Sequence, residues 1–542
     1  TENTAIGMSS LKSNTTADFN TALGNQTLCK NTTGTNNTAV GACALEANTT
    51  ASLNTAVGKS ALAANTTGTS NTGVGALSLD AATSGSYNTG TGYASLSILT
   101  TGTFNVASGY IAGNGITTGS CNVALGAHSL ATSTAASHNT AVGACSLNAN
   151  TTGATNTAVG FKSSLGNTTG TLNASFGDNS LRCNTTGANN TALGTSASFH
   201  NTTASFNTAV GSEALSTNTT GACNVSVGRL SLKCNTSGCL NTAVGWNSMC
   251  KNTTGEFNTA TGSRSLQCNT TGGENVSSGY NSLAVNTTGC KNVAFGKSSL
   301  EANTTASNNT AVGFSALKLN TTGDENTAVG KCAMACNTTG SAQTGIGNQA
   351  LRDATTGVAN VGLGNNAGLN VTTGSNNILI GKDSGRTGSP GGAITTASNN
   401  VVLGDENISG LFCADTSISS SDLRDKTDIE DFTHGLDFVT KLNPKTYRWD
   451  KRSWYISKDG TPQDLINATP DGSKKKNKKH IGFMAQDVLA LEQEIGFAND
   501  RDDMLVVNQT EDETRYGLKY ERLVPVLVNA IKELSETNKD LK

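Results

Sequence analysis

Apolar and polar residues recur with one fixed period through most of the chain. The motif Asn-Thr-Ala-Val-Gly, or a weaker copy of it, begins at residue 3 and returns every 17 residues up to residue 377, which makes 23 copies. A further copy, Asn400-Val-Val-Leu-Gly404, follows after 23 residues. The lengthened interval contains Ser389-Pro390-Gly391-Gly392, which indicates a loop inserted into one repeat. A period held this strictly is typical of stacked repeat folds.

The repeat consensus is N-T-A-V-G-x-x-A-L-x-x-N-T-T-G-x-x, and positions are numbered below from its first Asn. Position 5 is Gly in all 23 copies, from Gly7 to Gly381. An invariant Gly predicts a positive φ or a close backbone approach, as at a corner. Position 4 is aliphatic or Phe in 19 copies, and position 9 is Leu or Met in 18. These two apolar points predict two short strands per repeat, whose narrow stripe is buried only when repeats stack.

The pattern therefore predicts a mostly β fold with three parts. Residues 1–404 form a shaft of 17-residue β-solenoid coils, 405–420 a linker, and 421–542 a small α+β domain with a terminal helix. A helical repeat is disfavoured because Gly and Asn break helices and the unit is too short for a helix pair. Since the apolar stripe is thin, we expect a homotrimer with Val or Ala faces turned to a shared axis. The repeats resemble those of trimeric autotransporter adhesin heads and of phage and giant-virus fibres.

Composition narrows the expected partners. Charged residues make up 14% of the chain and the net charge is -3, which argues against nucleic-acid binding. No apolar run is long enough for a membrane span. The expected partners are further copies of the chain, a host-surface glycan or receptor, and virion or fibre-base proteins bound through a missing N-terminal region. The expected location is the virion surface or the extracellular space.

The Asn-Thr-Thr triplet of the repeat has two interpretations. It fits the N-glycosylation signal, which makes its asparagines candidate glycan acceptors. The simpler interpretation, which we favour, is a corner Asn that recurs because the coil recurs. The candidates include Asn14, Asn31, Asn150, Asn184, Asn252 and Asn337.

Cysteines also cluster in the shaft, which holds 13 of the 14. Cys223 with Cys239, and Cys234 with Cys250, fall on adjacent coils at a separation suited to disulfides. Free, small buried thiols are the alternative. No cysteine shows the spacing of a zinc site, so no metal or cofactor is expected.

The last part of the chain carries four motifs in order. They are Ser421-Asp-Leu-Arg-Asp-Lys426, Asn443-Pro-Lys-Thr-Tyr447-Arg-Trp449, His480-Ile-Gly-Phe-Met-Ala-Gln486 and Tyr520-Glu-Arg-Leu523. Their combination over 421–542 resembles the endosialidase-type intramolecular chaperone, a self-cleaving serine peptidase family at the C-termini of phage tail spikes and fibres. The resemblance implies that the domain trimerises, templates folding of the preceding fibre and then cuts the Ser420–Ser421 bond.

The resemblance also implies a role for each motif residue. Ser421 is the expected nucleophile and Lys426 its base, because a serine hydroxyl needs a neighbouring base and a desolvated lysine can serve as one. His480 is expected to orient groups or move a proton, and Asp422 and Arg424 to pair and hold the loop. Gly482 and Gln486 complete the motif. An ordinary exposed turn is the alternative for Ser421 and Lys426.

The sequence thus predicts a structural trimeric fibre for host attachment, with a single-turnover serine autoprotease and no activity on other substrates. The alternative is a cellular trimeric surface adhesin with the same chaperone. An enzyme acting on host polysaccharide is disfavoured, because no paired carboxylates lie on a recognisable catalytic domain.

Overall fold

The computed structural model describes residues 2–408, 423–456, 461–510 and 512–540. The chain forms two compact units, Thr1–Ser315 and Ala316–Lys542, which are treated separately below. The division predicted from the sequence, at 404 and 420, follows the repeat and remains a prediction.

The first unit is a β-solenoid in which every coil contributes one three-residue strand. Neighbouring strands pair in parallel at an offset of one repeat; Thr140, for example, lies opposite Thr157. The predicted mostly β, 17-residue-repeat solenoid is therefore confirmed. The strands are β1 Thr4–Ile6, β2 Thr21–Leu23, β3 Thr38–Val40, β4 Thr55–Val57, β5 Thr72–Val74, β6 Thr89–Thr91, β7 Val106–Ser108, β8 Val123–Leu125, β9 Thr140–Val142, β10 Thr157–Val159, β11 Ala174–Phe176, β12 Thr191–Leu193, β13 Thr208–Val210, β14 Val225–Val227, β15 Thr242–Val244, β16 Thr259–Thr261, β17 Val276–Ser278, β18 Val293–Phe295 and β19 Thr310–Val312.

The second unit contains five more strands of the repeat and then the small domain. The repeat strands are β20 Thr327–Val329, β21 Thr344–Ile346, β22 Val361–Leu363, β23 Ile378–Ile380 and β24 Val401–Leu403. The domain contains α1 Leu436–Lys441, β25 Lys445–Tyr447, α2 Pro462–Asn467, β26 His480–Gly482, α3 Ala485–Glu494, β27 Val507–Gln509, β28 Tyr516–Leu518 and α4 Leu523–Asp540, with 3-10 turns at Leu423–Asp425, Arg452–Tyr455 and Tyr520–Arg522. The pairs β25–β26 and β27–β28 are antiparallel, and the predicted terminal helix is present.

The prediction of a second strand in each coil is wrong. In the described coils, positions 6 to 11 form consecutive turns instead. Positions 7, 9 and 17 adopt left-handed backbone angles even where they are not Gly, as Ser60 (φ 57°), Leu62 (φ 52°) and Ser70 (φ 56°) do in one coil. A left-handed residue reverses the chain direction locally, so the coil closes through tight turns rather than through a second strand.

The prediction that position 4 supplies the core is also wrong. Side chains alternate along a strand, so positions 2 and 4 face outward when position 3 faces inward. Ala56 at position 3 and Leu62 at position 9 are fully buried, whereas Val57 at position 4 is 36% exposed. The core of the coil is therefore built from the small residues at positions 3 and 8 and the Leu at position 9. The outer strand face carries a row of aliphatic residues beside a row of Thr.

The invariant Gly behaves as the sequence predicted. Gly75 has φ +133°, and a Cβ built on it would lie 2.4 Å from the carbonyl oxygen of Gly92 in the next coil. Both reasons for a Gly, the backbone angle and the close approach, thus operate at the same position.

Two ladders of buried Asn side chains join the coils at their corners. At position 12, the Asn184 amide donates to Asn167 Oδ1 at 2.8 Å and to the Gly187 carbonyl oxygen at 2.9 Å. At position 1, the Asn190 backbone N–H donates to Asn173 Oδ1 at 3.0 Å. Each corner amide therefore satisfies polar groups of its own coil and of a neighbour, as buried polar groups require.

The small domain has its own apolar core. It is formed by Phe438, Val488, Val506, Val507, Leu523 and Val526. The start of α1 lies against α4, where Glu533 accepts a hydrogen bond from the Leu436 backbone N–H at 2.8 Å. Within the described ranges, no helix has the length and apolar character needed to cross a membrane.

Candidate functional site

The first motif lies partly outside the described residues. Ser420, Ser421 and Asp422 belong to the range 409–422, which lies outside the described residues. Arg424 lies in the 3-10 turn Leu423–Asp425, and Lys426 follows it; both side chains are exposed. The pairings of Ser421 with Lys426 and of Asp422 with Arg424 therefore remain predictions.

His480 is held in an aromatic cluster. Strands β25 and β26 pair so that His480 lies opposite Tyr447. Their rings stack with centroids 5.7 Å apart, and the ring of Trp449 meets His480 edge-on at 6.2 Å. Residues of the second and third sequence motifs therefore contact each other in the folded domain. The rings of Tyr447 and Trp449 hold the His480 imidazole in its orientation.

The Tyr520 side chain accounts for the glycine at residue 482. A Cβ on Gly482 would lie 2.6 Å from the Tyr520 hydroxyl oxygen. That oxygen also accepts a hydrogen bond from the Phe483 backbone N–H at 3.0 Å. The fourth motif therefore contacts the third, and the Gly is required because a phenol occupies the space beside it.

Gln486 lies in the first turn of α3 and is exposed. With Trp449, Lys451 and Arg515, it lines a cavity of about 410 Å³. Gly482 lies at the opposite end of the β25–β26 pair from His480, so Trp449, which contacts the His480 ring and also lines this cavity, is the link between His480 and Gln486.

Glu492 is a residue that the sequence analysis missed. It is fully buried, and its carboxylate accepts backbone hydrogen bonds from Leu505 at 2.9 Å, Val506 at 2.6 Å and Val507 at 2.9 Å. It therefore fastens α3 to the segment that leads into β27. The sequence signal was available, since Glu492 falls four residues after Val488 on the apolar face of the helix.

The inserted loop of the last complete coil is bound by the small domain. The Arg515 guanidinium donates to the carbonyl oxygens of Ser389 at 3.1 Å and Thr387 at 2.8 Å. The Lys451 ammonium donates to the Glu406 carbonyl oxygen at 3.0 Å. Burial lowers the pKa of Lys451 and Arg515. These three donors anchor the domain on backbone oxygens, a contact that side-chain patterns in the sequence do not reveal.

Burial has the opposite effect on the acid at this junction, because it disfavours the charged form of either sign. Burial raises the pKa of Glu406, although a hydrogen bond from Ser453 and the positive charge of Arg515 act to lower it. Desolvation therefore weakens the charged forms of Glu406, Lys451 and Arg515 at this junction.

The family comparison agrees with the order of these motifs. Residues 421–497 match the family model described as chaperone of endosialidase. The matched range contains the first three motifs, and it ends before β27, β28 and α4. No curated protein and no solved structure gives a significant match. The resemblance drawn from the sequence is therefore confirmed for the chaperone domain over this range.

The geometry of the Asn-Thr-Thr corners favours the structural interpretation of that motif. Asn31, Asn150, Asn184, Asn252 and Asn337 are fully buried. Their amide nitrogens, the atoms that a glycan would occupy, donate within the ladder; that of Asn252 reaches Asn235 Oδ1 at 2.8 Å and Gly255 O at 3.0 Å. Asn14 is partly buried and donates to Ala17 O at 3.1 Å. A folded coil has no room for a sugar at the buried amides.

The 13 shaft cysteines are free thiols, but none of them is buried as the alternative expected: Cys121 and Cys223 are exposed and the others are partly exposed. Burial, and then the neighbouring Cys234, raises the pKa of Cys250. Cys413 lies outside the described residues. No cluster of His, Cys, Asp or Glu suited to a metal ion occurs in the described part of the chain.

Proposed function

We propose that this chain is the shaft of a homotrimeric fibre and that its C-terminal domain aligns three chains and templates their folding. The observation that carries the proposal is the chaperone match on residues 421–497, directly after a parallel β-solenoid.

The outer strand face supports association with further copies. Position 4 exposes apolar side chains in coil after coil, among them Val57, Leu193 (48% exposed) and Phe295 (45% exposed). An exposed apolar row of this extent is typical of an interface rather than of a solvated surface. Three such faces turned to a common axis would cover one another.

A template answers a specific folding problem of this shaft. Neighbouring coils present nearly the same ladders, so a slip of one whole repeat between chains changes few contacts. Folding through non-local strand pairing is also slow and exposes unpaired edges. A clamp at one end sets the register, and the coils can then stack from it.

We also propose that the domain cuts the Ser420–Ser421 bond once. The Ser421 hydroxyl attacks the Ser420 carbonyl carbon while Lys426 accepts its proton, and the C–N bond breaks to leave an ester and the Ser421 amine. Water then hydrolyses the ester to the Ser420 carboxylate and regenerates the hydroxyl. A serine needs such a base to become nucleophilic. His480, fixed by Tyr447 and Trp449, is suited to orienting the reacting segment.

Intact mass of the denatured protein tests the cleavage. The expected result is two fragments of 420 and 122 residues from the 542-residue chain, with a new N-terminus at Ser421. Ser421→Ala should remain uncut, whereas Ser420→Ala, which keeps the nucleophile, should still cleave. A single uncut species in all three proteins would contradict the autoprotease.

Light scattering on the native Ser421→Ala protein tests the trimer. We expect three times the chain mass of 55.1 kDa. A monomer at micromolar concentration would contradict the homotrimer, whatever the outcome of the cleavage experiment.

We further propose that the fibre serves host attachment from a virion surface. The rival, a cellular adhesin with the same chaperone, differs in how the shaft is anchored. An encoded virion-binding segment before residue 1 would favour the fibre, and a secretion signal or membrane anchor there would favour the adhesin.

A further inference from the structure

One corner of the first unit carries an ordered surface row that the proposed folding function does not use. In six successive coils, positions 6 and 7 present a basic and an aromatic residue in alternation. We name this set the aromatic–basic row. Its members, in order, are Arg229, Trp246, Arg264, Tyr280, Lys297 and Phe314.

Five of the six members form two contacting groups, and the aromatic rings face solvent. The Arg264 guanidinium carbon lies 5.1 Å from the Trp246 ring centroid. The Lys297 ammonium lies 5.9 Å from the ring centroids of both Tyr280 and Phe314. The three aromatic side chains are 40 to 47% exposed. Rings and positive charges therefore alternate from coil to coil along this corner.

The charges of the row are available to an anion. Positions 6 and 7 of these six coils contain no Asp or Glu. Arg229, Arg264 and Lys297 form no ion pair with any residue that the structure describes. An anionic ligand would therefore reach these cations without first displacing a carboxylate.

Two acids in or next to these coils, Glu213 and Glu301, form contacts of their own. Glu213, at position 7 of the preceding coil, pairs with Lys233 at 2.6 Å. Glu301, at position 10, accepts a hydrogen bond from the Asn281 amide at 3.2 Å. The row keeps its positive character although the whole chain is slightly acidic.

We propose that the aromatic–basic row binds an acidic polysaccharide that carries its negative group on alternate sugars. The C–H face of a pyranose ring is apolar and packs on an exposed aromatic ring, while its acidic neighbour pairs with Arg or Lys. Parallel coils repeat at about 4.8 Å. This rise is close to the length of one sugar in an extended chain, so alternate rungs match alternate sugars.

A single-stranded nucleic acid fits the row less well. It carries a phosphate on every nucleotide, and its affinity comes mainly from neutralising those phosphates. Every second rung of the row has an aromatic ring and no charge. The spacing of charge therefore favours the polysaccharide.

The inference rests on the proposed attachment role and names the ligand class for it. The test uses the full chain and measures binding by calorimetry at about 0.05 M salt, where surface charges are weakly screened. The probes are hyaluronan and chondroitin sulfate oligosaccharides, the same hyaluronan with its carboxyls reduced to alcohols, and poly(dT) of similar length. We expect binding to at least one acidic sugar and little binding to the reduced form.

The matched variants locate the site. Arg264→Gln with Lys297→Gln should lower the affinity by about tenfold, because two charged contacts are lost. Lys59→Gln removes the same position-6 charge from a coil between Ala42 and Ala76, which have no rings, and should leave binding unchanged. No binding to either acidic sugar, equal binding of the reduced form, equal losses in both variants, or tighter binding of poly(dT) would each overturn the proposal. Mass and light scattering on the same samples report the trimer and the cleavage separately.

Discussion

The position-5 Gly offers a sharp test of how the coils stack. Gly75 and Gly73 lie two residues apart around the end of β5, so one coil provides both the test and its control. In Gly75→Ala, the new methyl would lie 2.4 Å from the Gly92 carbonyl oxygen and 2.6 Å from its carbon. Both atoms belong to backbone that is itself bonded to further coils. The φ of +133° is in addition an angle that only Gly adopts without strain.

The two changes should differ greatly in free energy of unfolding. Backbone strain of about 1–3 kcal/mol and a clash that displaces a packed coil together give about 3–5 kcal/mol of destabilisation for Gly75→Ala. At Gly73, the methyl would meet Ser78 O at 3.3 Å and Leu62 Cγ at 3.4 Å, in the position that Ala occupies in most coils. Burial of one methyl group stabilises by about 0.8 kcal/mol and offsets part of this crowding. The free energy of unfolding of Gly73→Ala should therefore lie within about 1 kcal/mol of the wild-type value.

Guanidinium unfolding followed by circular dichroism measures the overall effect. Hydrogen exchange of the amides of β4 to β6 then shows whether the damage is local, as expected where each coil contacts only its neighbours. A harmless Gly75→Ala, or equal losses in the two variants, would refute the close-approach argument.

Three further predictions concern the corners, the turns and the inserted loop. Asn184→Ala should destabilise the first unit by about 2–4 kcal/mol, read from the guanidinium midpoint, because buried Asn167 Oδ1 loses its donor at 2.8 Å and the Asn201 amide loses one of its two acceptors, also at 2.8 Å; an unchanged midpoint would contradict the ladder. Leu172→Asn should stabilise by about 0.5–1 kcal/mol in thermal unfolding, since Leu172 is exposed at φ 57°; a loss of stability would show that its side chain is needed elsewhere. Burial acts to raise the pKa of Asp512, but hydrogen bonds from Thr510 and Thr514 outweigh it and hold the pKa below 3.8. Its stabilising contribution is therefore present above that pH and lost as the pH falls through the depressed value. Asp512 Oδ2 accepts a hydrogen bond from the Ala393 backbone N–H beside the inserted loop at 3.5 Å, so exchange of the Ala393 amide should accelerate there in the wild type and not in Asp512→Asn.

The repeat could be predicted from the sequence because its causes are local. An invariant Gly, a recurring corner Asn and a strict period each constrain one coil, and stacking multiplies the signal. The direction of position 4 could not be predicted in the same way. Apolar character shows that a residue prefers burial, but it does not say whether the burial is inside its own coil or against another chain. The interior here is thin: where position 9 is Leu, position 3 is a small residue such as Ala, and the larger Leu379 faces inward in a coil whose position 9 is Gly385.

The left-handed backbone angle of the Leu at position 9 could not be predicted from the sequence either. A bulky residue disfavours that angle on its own, and only the packing of Leu62 and its counterparts into the coil interior holds it there. In the small domain, the order of motifs sufficed to predict the match to the chaperone family model over residues 421–497. The anchoring roles of Glu492 and Arg515 depend on backbone atoms at distant positions, which residue types alone do not encode. Ser421, the proposed nucleophile, lies outside the described residues.

The Asn ladders have a consequence for how the gene can change. Each amide of the Asn ladders forms hydrogen bonds within its own coil and with adjacent coils. The ladder contacts therefore do not depend on the total number of coils. An in-frame gain or loss of seventeen codons inside the shaft therefore restores every hydrogen bond on both sides of the change. Shaft length can vary between lineages by recombination among the repeats, while the inserted loop and the domain that binds it stay as they are.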